Sequence, residues 1–148
     1  MHSYGDLPMR LAELASDGQE RRTLDRIIKD RLITFLYQPI VDLSTLSVFG
    51  YEMLARGVET LHTPEHLFGA ARRMNRLWEL EKCVCLCALE SIQRLPEEYR
   101  SKRFFVNVTP ESFTHPEFIG FFNSQLLNRY GIDQHQIILE ITEEGDND

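Results

Sequence analysis

Little in this sequence suggests an exported, membrane-spanning or nucleic-acid-coating protein. Only three of 148 residues are cysteine, packed into Cys83-Val84-Cys85-Leu86-Cys87. An odd and crowded set of that kind is no disulfide framework. No apolar run approaches the roughly 18 residues that a membrane helix needs. The opening MHSYGDLPMR lacks the apolar core of a secretory signal, so a cytoplasmic protein is expected. Basic residues are the minority, 16 against 23 acidic ones, for a formal net charge of -7. That balance argues against a DNA or RNA polymer as partner, while one anionic ligand held through a metal stays open. There is no internal repeat and no low-complexity tract. What the chain does have is 43% hydrophobic and 26% charged residues, the ordinary mixture of one globular domain with a real core.

Residues 1–31 differ from the rest. A short helical pattern from Pro8 to Ala15 is followed by Asp17-Gly18-Gln19, which should interrupt it. A second pattern from Glu20 places Leu24, Ile27, Ile28 and Leu32 on one stripe of a charged helix. Two readings are open for this segment: a lead-in helix packed on the domain, or the end of a linker from a longer signalling protein. Strand signals then begin. Residues 33–41 and 46–54 are β-branched and aromatic, joined by a turn at 43–45, and predict a hairpin. Thr63-Pro64-Glu65 starts a helix through Met74, and a longer helix runs from about Arg76 to Leu95. Residues 104–108 form a short strand. Thr114-His115-Pro116-Glu117 reads as a capping box opening a helix towards Asn128, closed at Gly131. Residues 136–142 are a last strand. Strands alternating with helices predict an α/β fold with a mostly parallel sheet or barrel.

Three of these strands carry one lone polar residue near the C-terminal end of an apolar run: Glu52, Asn107 and Glu140. Strands of a parallel sheet are covered on both faces and should be continuously apolar. An uncompensated buried carboxylate costs several kcal/mol, approaching the stability of a whole domain. In (β/α) barrels the active site lies where different strands each contribute a residue at their C-terminal ends. Two carboxylates and an amide oxygen are hard donors that suit Mg²⁺, Mn²⁺ or Ca²⁺ rather than zinc. Scattered core or edge polars remain the alternative, because no motif spacing forces the metal reading.

The residues around these positions carry a resemblance. Tyr37-Gln38-Pro39-Ile40-Val41, Gly50-Tyr51-Glu52-Met53-Leu54-Ala55-Arg56, Phe105-Val106-Asn107-Val108-Thr109-Pro110 and Leu139-Glu140-Ile141-Thr142-Glu143 resemble the successive signatures of the EAL family, bacterial cyclic di-GMP phosphodiesterases. Each alone is weak; four in order are specific. The resemblance covers about residues 32–143, the first half of such a domain. It implies 32–148 as the N-terminal half of an EAL domain; residues 1–31 fall outside it and keep their expected role as a helical lead-in or linker. The expected fold is a partial (β/α) barrel, its first strand antiparallel, truncated after about four strands. It further implies metal-dependent hydrolysis of cyclic di-GMP to linear pGpG with Mg or Mn. Glu52, Asn107 and Glu140 resemble metal ligands, and Met53 replaces the signature's alanine. Gln38, Leu54 and Arg56 resemble substrate-binding residues, the guanidinium suiting a phosphate. Glu143 resembles an anchor for a catalytic loop.

The family's next motifs, an Asp-Asp pair, then a lysine, a glutamate and a glutamine, have no counterpart in these 148 residues. Two-metal hydrolysis needs both ions clamped, so the chain by itself is expected to be inactive. Its expected partners are cyclic di-GMP and either a second copy or a C-terminal half. A non-catalytic module for interaction or nucleotide sensing is the competing reading. Weaker signals have plainer expectations. Cys83, Cys85 and Cys87 read as small core residues, His62 and His66 as solvent-facing, Arg72 and Arg73 as a solvated helix face, and Trp78 as core packing.

Overall fold

A computed structural model describes residues 7–142, and Glu143 lies outside the described residues. The hairpin expected from the sequence forms: β1 (Thr34–Asp42) pairs antiparallel with β2 (Ser47–Arg56). Asp42 shapes the turn between them, its carboxylate accepting from the amide and hydroxyl of Ser44 at 2.8 and 2.6 Å. Those bonds hold the Asp42 carboxyl below its usual range. β3 (Arg103–Val108) then adds parallel to β2, and β4 (Ile137–Ile141) parallel to β3. The result is one four-stranded sheet in the order β1-β2-β3-β4. It is a mixed α/β fold, not closed into a barrel among the described residues.

Between β2 and β3 run α2 (Pro64–Arg73), α3 (Leu77–Gln93) and the short α4 (Glu97–Arg100). Thr63 caps α2 as its sequence predicts, accepting from the His66 amide, with Pro64 in the first turn. Such a cap contributes about 1 kcal/mol. Apolar residues of α3 supply much of the core: Leu80, Val84, Cys85, Ala88, Leu89 and Ile92 are all buried. They meet Met53, Phe104, Val106 and Val108 from the sheet on one side and Leu67, Phe68 and Leu61 on the other. All three cysteines are buried and free.

Two local expectations are corrected. Residues 7–30 form one uninterrupted helix, α1, with no break at Asp17-Gly18-Gln19. A mid-helix glycine costs only about 1 kcal/mol relative to alanine, and the C-terminal half is anchored by fully buried Leu24 and Ile27. Thr114 does not open a helix but closes one. The chain turns instead into α5 (Pro110–Phe113), α6 (Phe118–Phe121) and α7 (Ser124–Arg129). Thr109 and Asn123 provide the N-caps of α5 and α7, and Thr114 donates back to Pro110 O at 2.9 Å. Trp78 packs against the core as expected, though half-buried: its ring stacks on His115 at 4.3 Å and its indole N–H bonds Glu117 at 3.1 Å. His62 and His66 are exposed. Arg72 and Arg73 pair with Glu111 and Glu20.

Gly131 ends α7 with φ of 69°, the left-handed conformation expected of a C-cap glycine. Gly50 has a different reason to be glycine. A Cβ there would sit 2.5 Å from Arg103 O, so β2 and β3 can approach only without one.

Candidate functional site

The pairing register decides which side chains share a face, because successive side chains of a strand alternate. Phe35, Tyr37, Tyr51, Met53, Phe104, Val106, Ile137 and Leu139 belong to the helix-covered face. Their neighbours in sequence occupy the other. Gln38 pairs with Glu52, Glu52 with Phe105, Phe105 with Ile138, and Asn107 with Glu140. Gln38, Glu52, Asn107 and Glu140 therefore stand side by side on the face that no described helix covers.

Glu52, Asn107 and Glu140 come together there, near the C-terminal ends of the three parallel strands. Asn107 Nδ2 donates to Glu52 Oε1 at 3.5 Å, and Glu140 lies across from Asn107 on the edge strand. Burial and then the nearby Glu52 charge push the Glu140 carboxyl up from its ordinary range. Like charges held at close quarters with incomplete hydration produce that direction of shift. Among the described residues no three His, Cys, Asp or Glu side chains group closely enough to hold an ion by themselves. The set here is two acids and an amide. Its chemistry fits a hard divalent cation, which would relieve the repulsion between Glu52 and Glu140 and accept the remaining positions from water or ligand.

Leu54 follows Glu52 on the same face and pairs with Leu36. Arg56 is two residues further, at the strand end opposite Thr34. Its guanidinium donates to Ala55 O at 2.8 Å, so Arg56 is at the mouth but is not brought onto the three polar residues. Gln38 is exposed. The turn after Arg56 is tight, since Gly57 donates to His62 O at 2.9 Å and a Cβ on Gly57 would lie 2.2 Å from Leu61 O.

One acid escaped the sequence reading. Glu81 on α3 is 0% exposed, and its Oε2 accepts from the hydroxyls of Thr109 and Ser112 at 3.1 and 3.2 Å. Thr109 Oγ1 accepts in turn from the Ser112 amide at 3.3 Å. The available signal was an acid between Leu80 and Val84 on an otherwise apolar helix face. A cavity of about 70 Å³ is lined by Glu81 and Thr109, and also by Leu54 and Asn107.

The EAL domain model matches residues 21–147 of this chain. No protein with a curated description matches it. Among solved structures, the EAL domain of FimX from Xanthomonas citri, in complex with c-diGMP, is similar with a TM-score of 0.74 at 19% identity. That match covers 89% of this chain and 52% of the other, so the chain spans about half that domain. BlrP1 from Klebsiella pneumoniae, in a manganese and cyclic diGMP complex, is similar with a TM-score of 0.62 at 25% identity, over 76% of this chain and 28% of the other. A calcium and cyclic diGMP complex of the same protein matches with the same TM-score and identity.

Proposed function

Since this chain belongs to the EAL domain family, we propose that residues 32–148 form the strand-end half of a cyclic di-GMP phosphodiesterase site. In this reading Glu52, Asn107 and Glu140 hold Mg or Mn, and Gln38, Leu54 and Arg56 receive the nucleotide. Glu143 anchors a catalytic loop, and residues 1–31 act as a helical lead-in or linker. The observation that carries it is the convergence of two acids and an amide from three strands on one uncovered face.

Each residue has a task that its chemistry suits. The ion, when bound, supplies positive charge against a phosphate oxygen and lowers the pKa of a water. Glu52 and Glu140 give two ionised oxygens, and Asn107 a neutral one, so the site keeps net affinity for a cation beside an anionic substrate. Arg56 at the mouth can leave Ala55 O and present its planar fork to a phosphate. Leu54 and Leu36 offer an apolar surface for a base beside those charges.

Three protein donors hold one ion weakly and leave a second unheld. Residues 1–148 by themselves are therefore a binding module without turnover. Isothermal titration of the purified chain with cyclic di-GMP should show weak binding that needs Mg²⁺ or Mn²⁺. Turnover to pGpG should appear only when the C-terminal half of an EAL domain is supplied, in cis or as a second chain. Hydrolysis by residues 1–148 alone would overturn the inactive reading. Equal nucleotide binding with and without metal would favour a sensing module that does not use the three polar residues.

A further inference from the structure

We propose that Glu81 is a positioning residue for the strand-end site, acting on Asn107 through Thr109 and Ser112. The inference rests on the metal reading of Asn107 above and extends it to a residue on a different element.

A glutamate with 0% exposure on a core helix is costly unless something requires it. Here its Oε2 collects two hydroxyl donors from one short stretch of chain, Thr109 at 3.1 Å and Ser112 at 3.2 Å. Both are buried as well, 2% and 1% exposed. That stretch is the exit of β3. Asn107 occupies the second-last position of the strand, Val108 the last, and Thr109 caps α5 immediately afterwards. Two further bonds tighten the same corner: the Ser112 amide to Thr109 Oγ1 at 3.3 Å, and the Thr142 amide to Val108 O at 3.3 Å. The chain just beyond Asn107 is thus tied at Thr109 from α3 by side chains, and at Val108 by the backbone of Thr142, which follows β4.

Asn107 itself has little else to orient it. Its single described side-chain bond among these groups is the long one to Glu52, 3.5 Å. An amide that must turn its oxygen towards an ion needs a backbone that does not rotate at the strand end. Glu81 supplies a fixed point for that backbone, and Glu81, Thr109 and Asn107 line the same small cavity, together with Met53, Val84 and Val106. Loss of a residue that orients a ligand typically costs 10–100-fold in metal affinity.

The test uses the purified chain, with Mn²⁺ as probe, read by electron paramagnetic resonance, and the Asn107 side-chain amide read by NMR without metal. Glu81→Met removes the acceptor at similar length, and Glu81→Gln restores an oxygen that can take both hydroxyls. Thr109→Val and Thr109→Ser form the same pair from the other side. Glu81→Met and Thr109→Val should each weaken Mn²⁺ binding about tenfold and shift the Asn107 amide signals. Glu81→Gln and Thr109→Ser should stay within about threefold of the parent. If Glu81→Met fails to fold, Thr109→Val carries the comparison. Lowered melting temperature with unchanged Mn²⁺ affinity and unchanged Asn107 signals would reduce Glu81 to a structural residue and overturn the proposal. If the parent chain binds no Mn²⁺, the metal reading falls, and the Asn107 signals alone decide: moved by Thr109→Val, positioning stands; unmoved, it falls too.

Discussion

The two faces of the sheet have opposite physical characters. On the helix side, Phe104, Val106 and Val108 are 0–2% exposed, packed against Cys85, Ala88, Leu89 and Ile92. On the other side the same strands present Gln38, Glu52, Phe105, Asn107, Ile138 and Glu140, and Leu36 is 56% exposed. One face therefore holds the fold together and the other is available to chemistry. A strand such as Arg103–Val108 serves both at once because its side chains alternate. Changes to the two faces should accordingly separate cleanly into effects on stability and effects on ligands.

The largest effect belongs to the covered face. Phe104→Ala should lower stability by about 3–5 kcal/mol, measured by urea unfolding. A loss below about 1 kcal/mol would mean that the helix layer does not depend on this ring. Next comes the uncovered face. Glu52→Ala should weaken Mn²⁺ binding by at least about 30-fold, on the order of 2 kcal/mol, while the urea midpoint stays or rises because a repulsion with Glu140 is removed. A large fall in stability would show that the acid is structural.

A smaller effect concerns pH. The folded Glu140 carboxyl titrates above its ordinary range, by burial and the Glu52 charge. Between the ordinary and the raised pKa, the folded chain keeps a proton that the unfolded chain has released. Its contribution is present at low pH and is lost as pH rises through the raised value. Melting temperature of the metal-free chain should thus decline with pH across that window, and Glu140→Gln should flatten the decline. Added Mn²⁺ should reverse it, since an ion selects the ionised acids. A decline untouched by Glu140→Gln would assign it to another group. The smallest expected change is Leu36→Thr, within about 0.5 kcal/mol in urea, against several for an apolar residue of the covered face.

Much of this division was legible in the residues. The lone polar residues at 52, 107 and 140 marked the uncovered face because they broke apolar runs, and strand alternation put them on one side. The hairpin, the Thr63 cap and the end at Gly131 followed from turn and cap chemistry. What escaped the sequence were features set by partners distant in the chain. Glu81 drew no expectation from the sequence, because the hydroxyls it collects lie 28 and 31 residues away. The Asp17-Gly18-Gln19 break was overestimated because local propensity is weak beside the anchoring of Leu24 and Ile27. Thr114 resembled a capping box, yet Thr109 and Pro110 had already started a helix whose last turn Thr114 completes.

The reversed direction of β1 has a mechanical consequence. Because Thr34 pairs with Arg56, the chain enters β1 at the rim where β2 leaves the sheet, not at the floor. α1 is therefore a shaft delivered to the strand-end rim of the sheet. It is pinned there, with Arg26 held to Glu59 at 2.8 Å and Thr23 to the same carboxylate at 3.3 Å, just past Arg56 on the loop that leaves the rim. A twist or a pull applied along that shaft is felt first at Thr34, the cross-strand partner of Arg56, and at Glu59, three residues beyond it, before it reaches the buried layer beneath.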